Sequence, residues 1–174
     1  MIEEQSNPKS ALGGHGRGKI FTTAISARVL IDTNVLVYLY DESAPAKQLQ
    51  ARLILRAVAE AGVGAVSTQV LSEFFSVATR RLRPRLPFEV ALAELEHHAR
   101  VWTILLVTAP VVVAAAHAVR DYSFSFWDAQ LWAVAKLNQL DTILSEDFQA
   151  GSRLGGVRFV NPFAADFQQS NWLT

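Results

Sequence analysis

The sequence predicts an α/β fold with three layers, helices on both faces of a short and mostly parallel central sheet. Three observations carry that prediction. The strand-like segments are short and apolar throughout, the pattern of strands buried on both faces. Helical segments separate most of them, as in parallel α/β architectures. The chain has 174 residues, of which 51% are apolar, a length that suits one domain and a composition that supplies a sizeable core.

The elements follow in chain order. "RVLID", ending at Asp32, reads as the first strand. "PAKQLQARLILRAVAEAG" reads as a helix, with apolar residues recurring at Leu49, Leu53, Ala57 and Ala61 and Gly62 as its stop. "GAVS" is a second strand and "TQVLSEFFSVATRRL" a helix. "PFEVALAELEHHAR" is a helix opened by Pro87. "WTILLV" is a third strand. "PVVVAAAHAVRDY" and "SFWDAQLWAVAKLNQL" are helices, and "TILS" and "VRFV" are the last strands. The tail "NPFAADFQQSNWLT" reads as irregular. No internal repeat is present.

Residues 1–26 are polar and rich in Gly and Ser, without the long apolar core of a signal peptide. They are expected to form a mobile extension, with the domain over 27–163 and a tail over 164–174. The stretch "VWTILLVTAPVVVAAAHAV" is nearly long enough to span a membrane. Pro110 lies in its middle and Thr103, Thr108 and His117 are scattered along it, so a strand, a turn at "TAP" and an alanine-rich helix are expected instead. Sixteen basic and sixteen acidic residues cancel, so any attraction to nucleic acid must come from a local patch. The chain has no cysteine, which excludes disulfides and thiolate zinc sites and is compatible with a cytoplasmic, reducing location.

Four acids occupy unusual places. Asp32 follows an apolar strand, and Asp147 follows "TILSE" in the same relation to a later one. Both are expected on the rim where parallel sheets bind ligands. A residue such as Asp32 can equally cap a following helix. Glu73 sits among Val70, Leu71, Phe74, Phe75 and Val77; a solvated face is its default reading. Asp128 opens a largely apolar helix, and Ser125 to Asp128 has capping-box spacing. Clustered carboxylates repel unless a cation neutralises them, and hard oxygen ligands favour Mg²⁺ or Mn²⁺. Such an ion activates water and polarises a phosphoryl oxygen, so metal-assisted phosphodiester hydrolysis is the natural chemistry if the four acids meet.

"VLIDTNVLVY", "STQVLSEFFSVATR", "YSFSFWDAQLWAVAKLNQLDTILSEDFQAG" and "VRFVNPF" resemble, in order, the segments of a PIN-domain protein, and within that family the VapC-like ribonuclease toxins. The resemblance covers roughly residues 28–163. It implies a PIN-like sheet whose acids, here Asp32, Glu73, Asp128 and Asp147, hold Mg²⁺ or Mn²⁺ and cleave RNA to leave a 5′-phosphate and a 3′-hydroxyl. Asn34 and Ser145 match neighbouring polar positions that support the site, and Glu146 reads as solvated. The resemblance also implies a cognate antitoxin and a homodimer as partners. The extension and the tail depart from the pattern.

"RRLRPRL" places Arg80, Arg81, Arg83 and Arg85 together, the densest positive charge in the chain. Arginine pairs well with phosphate, which favours RNA contact; a solvated helix end is the alternative. His97 and His98 are expected to be a solvated pair. Trp127 and Trp132 are able to stack on bases, but core packing is expected on so apolar a helix. Two other functions compete. An aspartate-nucleophile phosphatase wants a second acid two residues after the first, where this chain has Asn34. A catalytically silent RNA- or protein-binding module would not need the full set of acids.

Overall fold

The first strand of the sheet, β1 (Val29–Ile31), is wholly buried and lies at its centre. The computed structural model describes residues 28–168; the expected extension over 1–26 and the last part of the tail lie outside the described residues. After β1 come α1 (Thr33–Val37), α2 (Pro45–Ala61), β2 (Gly64–Ser67), α3 (Thr68–Arg80), α4 (Phe88–Val101) and β3 (Thr103–Leu105). The chain continues through α5 (Ala109–Tyr122), α6 (Phe126–Leu137), β4 (Thr142–Leu144), β5 (Arg153–Leu154) and β6 (Val157–Val160). The strand order is β3-β2-β1-β4-β6-β5, parallel except for the β5–β6 hairpin. This is the three-layer, mostly parallel architecture the sequence predicts. The five-residue α1 and the two-residue β5 are additions, both too short to leave a periodic signal.

The switch in strand order positions the site. From β1 the chain moves outward to β2 and β3 on one side, and β4 and β6 extend the other. Loops after β1 and β4 therefore diverge and leave a crevice at the carboxyl edge. Leu30 pairs with Ile143, and the Asp32 N–H donates to the Leu144 carbonyl at 3.0 Å, which sets the two loops side by side.

Helix α2 packs with a different stripe from the one read in the sequence. Ala51, Ile54, Leu55 and Val58 are buried, whereas Leu49 and Leu53 are 61% and 49% exposed. The helix carries two apolar stripes. The buried one presents Ile, Leu and Val; the other dwindles to Ala57 and Ala61 and covers less of the sheet. Gly62 ends the helix in the left-handed conformation, as the sequence indicates. Gly64 is required by a close approach, since a Cβ there would lie 2.6 Å from the Trp102 ring.

The apolar stretch around Pro110 is β3, a turn and α5, with Pro110 in the first turn of the helix. Among the described residues no helix is long and apolar enough to cross a membrane. Helices α5 and α6 form a hairpin through Ser123, and the segment Ala129–Ala135 of α6 is buried throughout.

Candidate active site

Asp32, Glu73, Asp128 and Asp147 all line one cleft of about 940 Å³, together with Asn34, Thr33, Gln69, Arg81 and Trp127. The tertiary fold thus brings to one place four acids that are 115 positions apart at the extremes of the sequence. Each is held differently.

Asp32 both caps α1 and lines the cleft. It is the N-cap of α1, and its Oδ1 accepts from the Thr33 N–H at 2.6 Å. Its Oδ2 accepts from Ser145 Oγ at 2.6 Å and Asn34 Nδ2 at 3.1 Å. Burial pushes its pKa up to about 7, against the pull of the Ser145 and Thr33 hydrogen bonds and with help from the charges of Asp147 and Glu73. At neutral pH the Asp32 carboxyl is therefore poised between its two protonation states.

Asn34 bridges two strand ends. Its Nδ2 also donates to Asp147 Oδ2 at 3.0 Å, and its Oδ1 is buried without a hydrogen-bond partner. Ser145, wholly buried after β4, accepts from the Asp147 N–H at 3.1 Å. The Asp147 side chain itself is exposed at the rim.

Glu73 is not solvated in the ordinary way. It is half-buried, with Thr33 Oγ1 donating to Oε2 and Gln69 Nε2 to Oε1, both at 3.0 Å. Gln69 also donates to the Trp127 carbonyl at 3.3 Å and accepts from Gln130 Nε2 at 2.8 Å. Thr33, Gln69 and Gln130 were missed in the sequence. Two signals were there: Gln69 lies one helical turn before Glu73, and Gln130 is an isolated amide in an otherwise apolar run.

At Asp128 only half of the capping box forms. The Asp128 N–H donates to Ser125 Oγ at 3.2 Å, but the Asp128 carboxylate accepts no hydrogen bond from the described residues. The cap belongs to Ser125, which leaves the Asp128 carboxylate facing the cleft.

Several expectations need correction. Glu146 is not solvated: it is half-buried, accepts from Tyr38 Oη at 2.6 Å and pairs with Lys47. Its Lys47 partner also lies 4.5 Å from the Tyr38 ring centroid, so the acid next to Asp147 is tied away from the cleft. His97 is exposed, but His98 is buried against Phe74 and accepts from Trp102 Nε1 at 3.3 Å. Burial and the neighbouring His97 push the His98 pKa down to about 4, against the opposing pull of Glu94. Trp132 is in the core as expected, whereas Trp127 is 59% exposed on the cleft wall. Of the four arginines, all exposed, only Arg81 lines the cleft; Arg80, Arg83 and Arg85 lie outside it.

The donor set suits a hard divalent cation: the four predicted carboxylates, a fifth from Asp41 and the unpartnered Asn34 Oδ1, with no sulfur or imidazole among the described residues that line the cleft. Among the described residues, however, no group of three or more His, Asp or Glu side chains is drawn together closely enough to hold an ion. Three of the four predicted carboxylates, Asp32, Glu73 and Asp147, are tied to hydroxyl or amide donors, and Asp32 and Asp147 share Asn34 Nδ2.

The PIN-domain family model matches residues 29–151, which spans β1 to the loop after β4 and contains all four acids. The chain belongs to the PIN-domain family. A comparison with curated proteins finds no match to this PIN domain. Among solved structures it is similar to VapC20 of Mycobacterium tuberculosis, described as a sarcin–ricin loop cleaving toxin. The identity is 20%, the TM-score is 0.57, and the match covers 68% of this chain and 89% of that one. A toxin–antitoxin complex from Klebsiella pneumoniae matches at 18% identity and a TM-score of 0.59, over 78% of this chain and 98% of that one. FitAcB from Neisseria gonorrhoeae matches at 22% identity and a TM-score of 0.54, over 77% and 97%. At these identities the likeness shows the fold of the PIN domain.

Proposed function

We propose that this PIN domain is a Mg²⁺- or Mn²⁺-dependent endoribonuclease and the toxin of a toxin–antitoxin pair. The observation that carries the reading is the meeting of Asp32, Glu73, Asp128 and Asp147 in one cleft at the switch point of the sheet. These carboxylates and Asn34 Oδ1 would hold the cation. When bound, it would lower the pKa of a water and polarise the phosphoryl oxygen under attack.

The chain's own residues do the rest. Ser145 and the Thr33 N–H hold the Asp32 carboxyl in one orientation, and a bound cation would lower the Asp32 pKa from its raised value and favour the charged carboxylate. Asn34 keeps Asp147 beside Asp32. Thr33 and Gln69 fix the Glu73 carboxylate at the opposite wall. Arg81 supplies a cation on the cleft for a substrate phosphate. The products are a 5′-phosphate and a 3′-hydroxyl. A cognate antitoxin is a proposed partner, supported by similarity to a structure described as a toxin–antitoxin complex; a second copy of the chain is proposed from the family resemblance alone.

The deciding experiment incubates purified protein with total RNA, with and without Mg²⁺ or Mn²⁺, and maps the ends. Cation-dependent internal cuts bearing 5′-phosphates are expected. Intact RNA under all conditions would retire the nuclease reading. The spread of the carboxylates favours one second reading, a catalytically silent RNA- or protein-binding module. Calorimetric titration separates the two, because the silent module would bind neither cation.

A further inference from the structure

Trp127 is 59% exposed on the cleft wall, although it opens a helix whose residues Ala129–Ala135 are all buried. Trp132, five residues further on, is 3% exposed. The indole of Trp127 stays in water at the exposed first turn of the helix, beside Phe126 at 39%. It is also held in place. Gln69 Nε2 donates to the Trp127 carbonyl and to Glu73 Oε1, so one amide ties the tryptophan to a carboxylate of the cleft. Gln130 secures that amide from below at 2.8 Å. Phe126 packs edge-on against the indole, with ring centroids 5.5 Å apart at 72°.

A large aromatic face in water beside an acidic cleft of about 940 Å³ matches the π-face of a nucleobase. A base can lie on an indole only if it has left its own helical stack. We infer that Trp127 is a stacking platform for an unpaired base next to the reacting phosphodiester. The inference rests on the ribonuclease reading for its substrate, and it adds the residue that holds the base. Trp127 and Arg81 then divide the work: stacking is insensitive to salt, whereas a phosphate contact is not.

The test measures binding of a short labelled oligouridylate and of a labelled RNA duplex by fluorescence anisotropy at two salt concentrations. The full chain is used in an Asp32→Asn background, so that the probe stays intact. Trp127→Ala is expected to weaken single-strand binding about five- to a hundredfold, the range for one lost base stack. The factor should be the same at both salt concentrations, Trp127→Phe should retain most of the affinity, and duplex binding should not change. Thermal melting of each variant checks the fold; if Trp127→Ala melts early, the Phe and Leu replacements serve as the pair. Unchanged single-strand affinity overturns the inference, as does equal loss for duplex or a flattened salt dependence. A change in self-association with RNA affinity intact also overturns it. A wild-type protein that binds RNA through Trp127 but cleaves none retires the nuclease reading and leaves the platform standing. Cleavage by a Trp127→Ala protein with undiminished RNA affinity retires the platform alone.

Discussion

Asn34 donates through one nitrogen to Asp147 at 3.0 Å and to Asp32 at 3.1 Å, joining carboxylates on two neighbouring strand ends. The two acids would otherwise repel across the crevice. Their shared donor holds them together before any cation is present, while the Asn34 Oδ1 stays unpartnered. Replacing Asn34 with Ala should lower RNA cleavage by at least about tenfold and cation affinity with it. The stability cost should be about 1–3 kcal/mol, the loss of a hydrogen bond to charged groups. Single-turnover cleavage and calorimetric Mg²⁺ titration on the same preparation check this. Full activity with unchanged affinity would mean that Asn34 only packs.

Asp32 and His98 impose opposite pH dependences on folding. The Asp32 pKa lies above its unfolded value of 3.8, at about 7, so stability is lost as pH rises through that interval. The His98 pKa lies below its unfolded value of 6.5, at about 4, so stability is lost as pH falls through that one. Each effect has an upper bound of about 3–4 kcal/mol. They largely cancel in the metal-free wild-type protein between those limits. Asp32→Asn should therefore make the metal-free protein less stable at pH 5 than at pH 6.5, and more stable than wild type at pH 8. Denaturant melts across pH in chelator check the sign.

Cation binding should act through Asp32. At pH 8, Mg²⁺ or Mn²⁺ should raise the melting temperature of the wild-type protein and leave Asp32→Asn unmoved, with cleavage abolished in the latter. The charge is buried, and among the described residues its hydrogen-bond partners are all neutral donors. An Asp32→Asn protein that folds and cleaves normally would end the proposed mechanism.

Ser125 and Asp128 separate cap from site. Ser125→Ala removes the hydroxyl that accepts from the Asp128 N–H and should cost about 1 kcal/mol with cleavage preserved. Asp128→Asn removes no cap and should change stability by less than about 0.5 kcal/mol. It should still abolish cleavage. The reverse pattern, an unstable and active Asp128→Asn, would return Asp128 to a purely structural role.

The arginine patch should prove unequal. Arg81→Gln should change the slope of log affinity against log salt by roughly one unit, because Arg81 lines the cleft. Arg83→Gln and Arg85→Gln, which lie outside it, should leave the slope alone. If they then weaken capture of a co-expressed antitoxin, the outer arginines belong to the partner surface.

Much of this protein was legible in the chain itself. Short apolar runs such as "VLI" and "TIL" between helical segments point to strands of a mostly parallel sheet. A parallel sheet in turn places Asp32 and Asp147 at a carboxyl edge, because Asp32 directly follows β1 and Asp147 lies in the loop just after β4. Even Asp128 and Glu73 carried a signal, as acids on helices with little room for charge. The rest depended on distance in space. Which stripe of α2 faces the sheet was settled by competition between Ile54, Leu55 and Val58 and the smaller stripe through Leu49, a comparison that needs the opposing surface. His98 was buried and Trp127 exposed for the same reason: their local sequences fix a helix but not the orientation of that helix against Phe74 or the cleft. Glu146 meets Lys47 of α2 and Tyr38 at the end of α1 only in the tertiary fold. Hydrogen bonds and ion pairs between residues a hundred positions apart leave no period in a sequence. They exist because the sheet brings the ends of β1 and β4 into register.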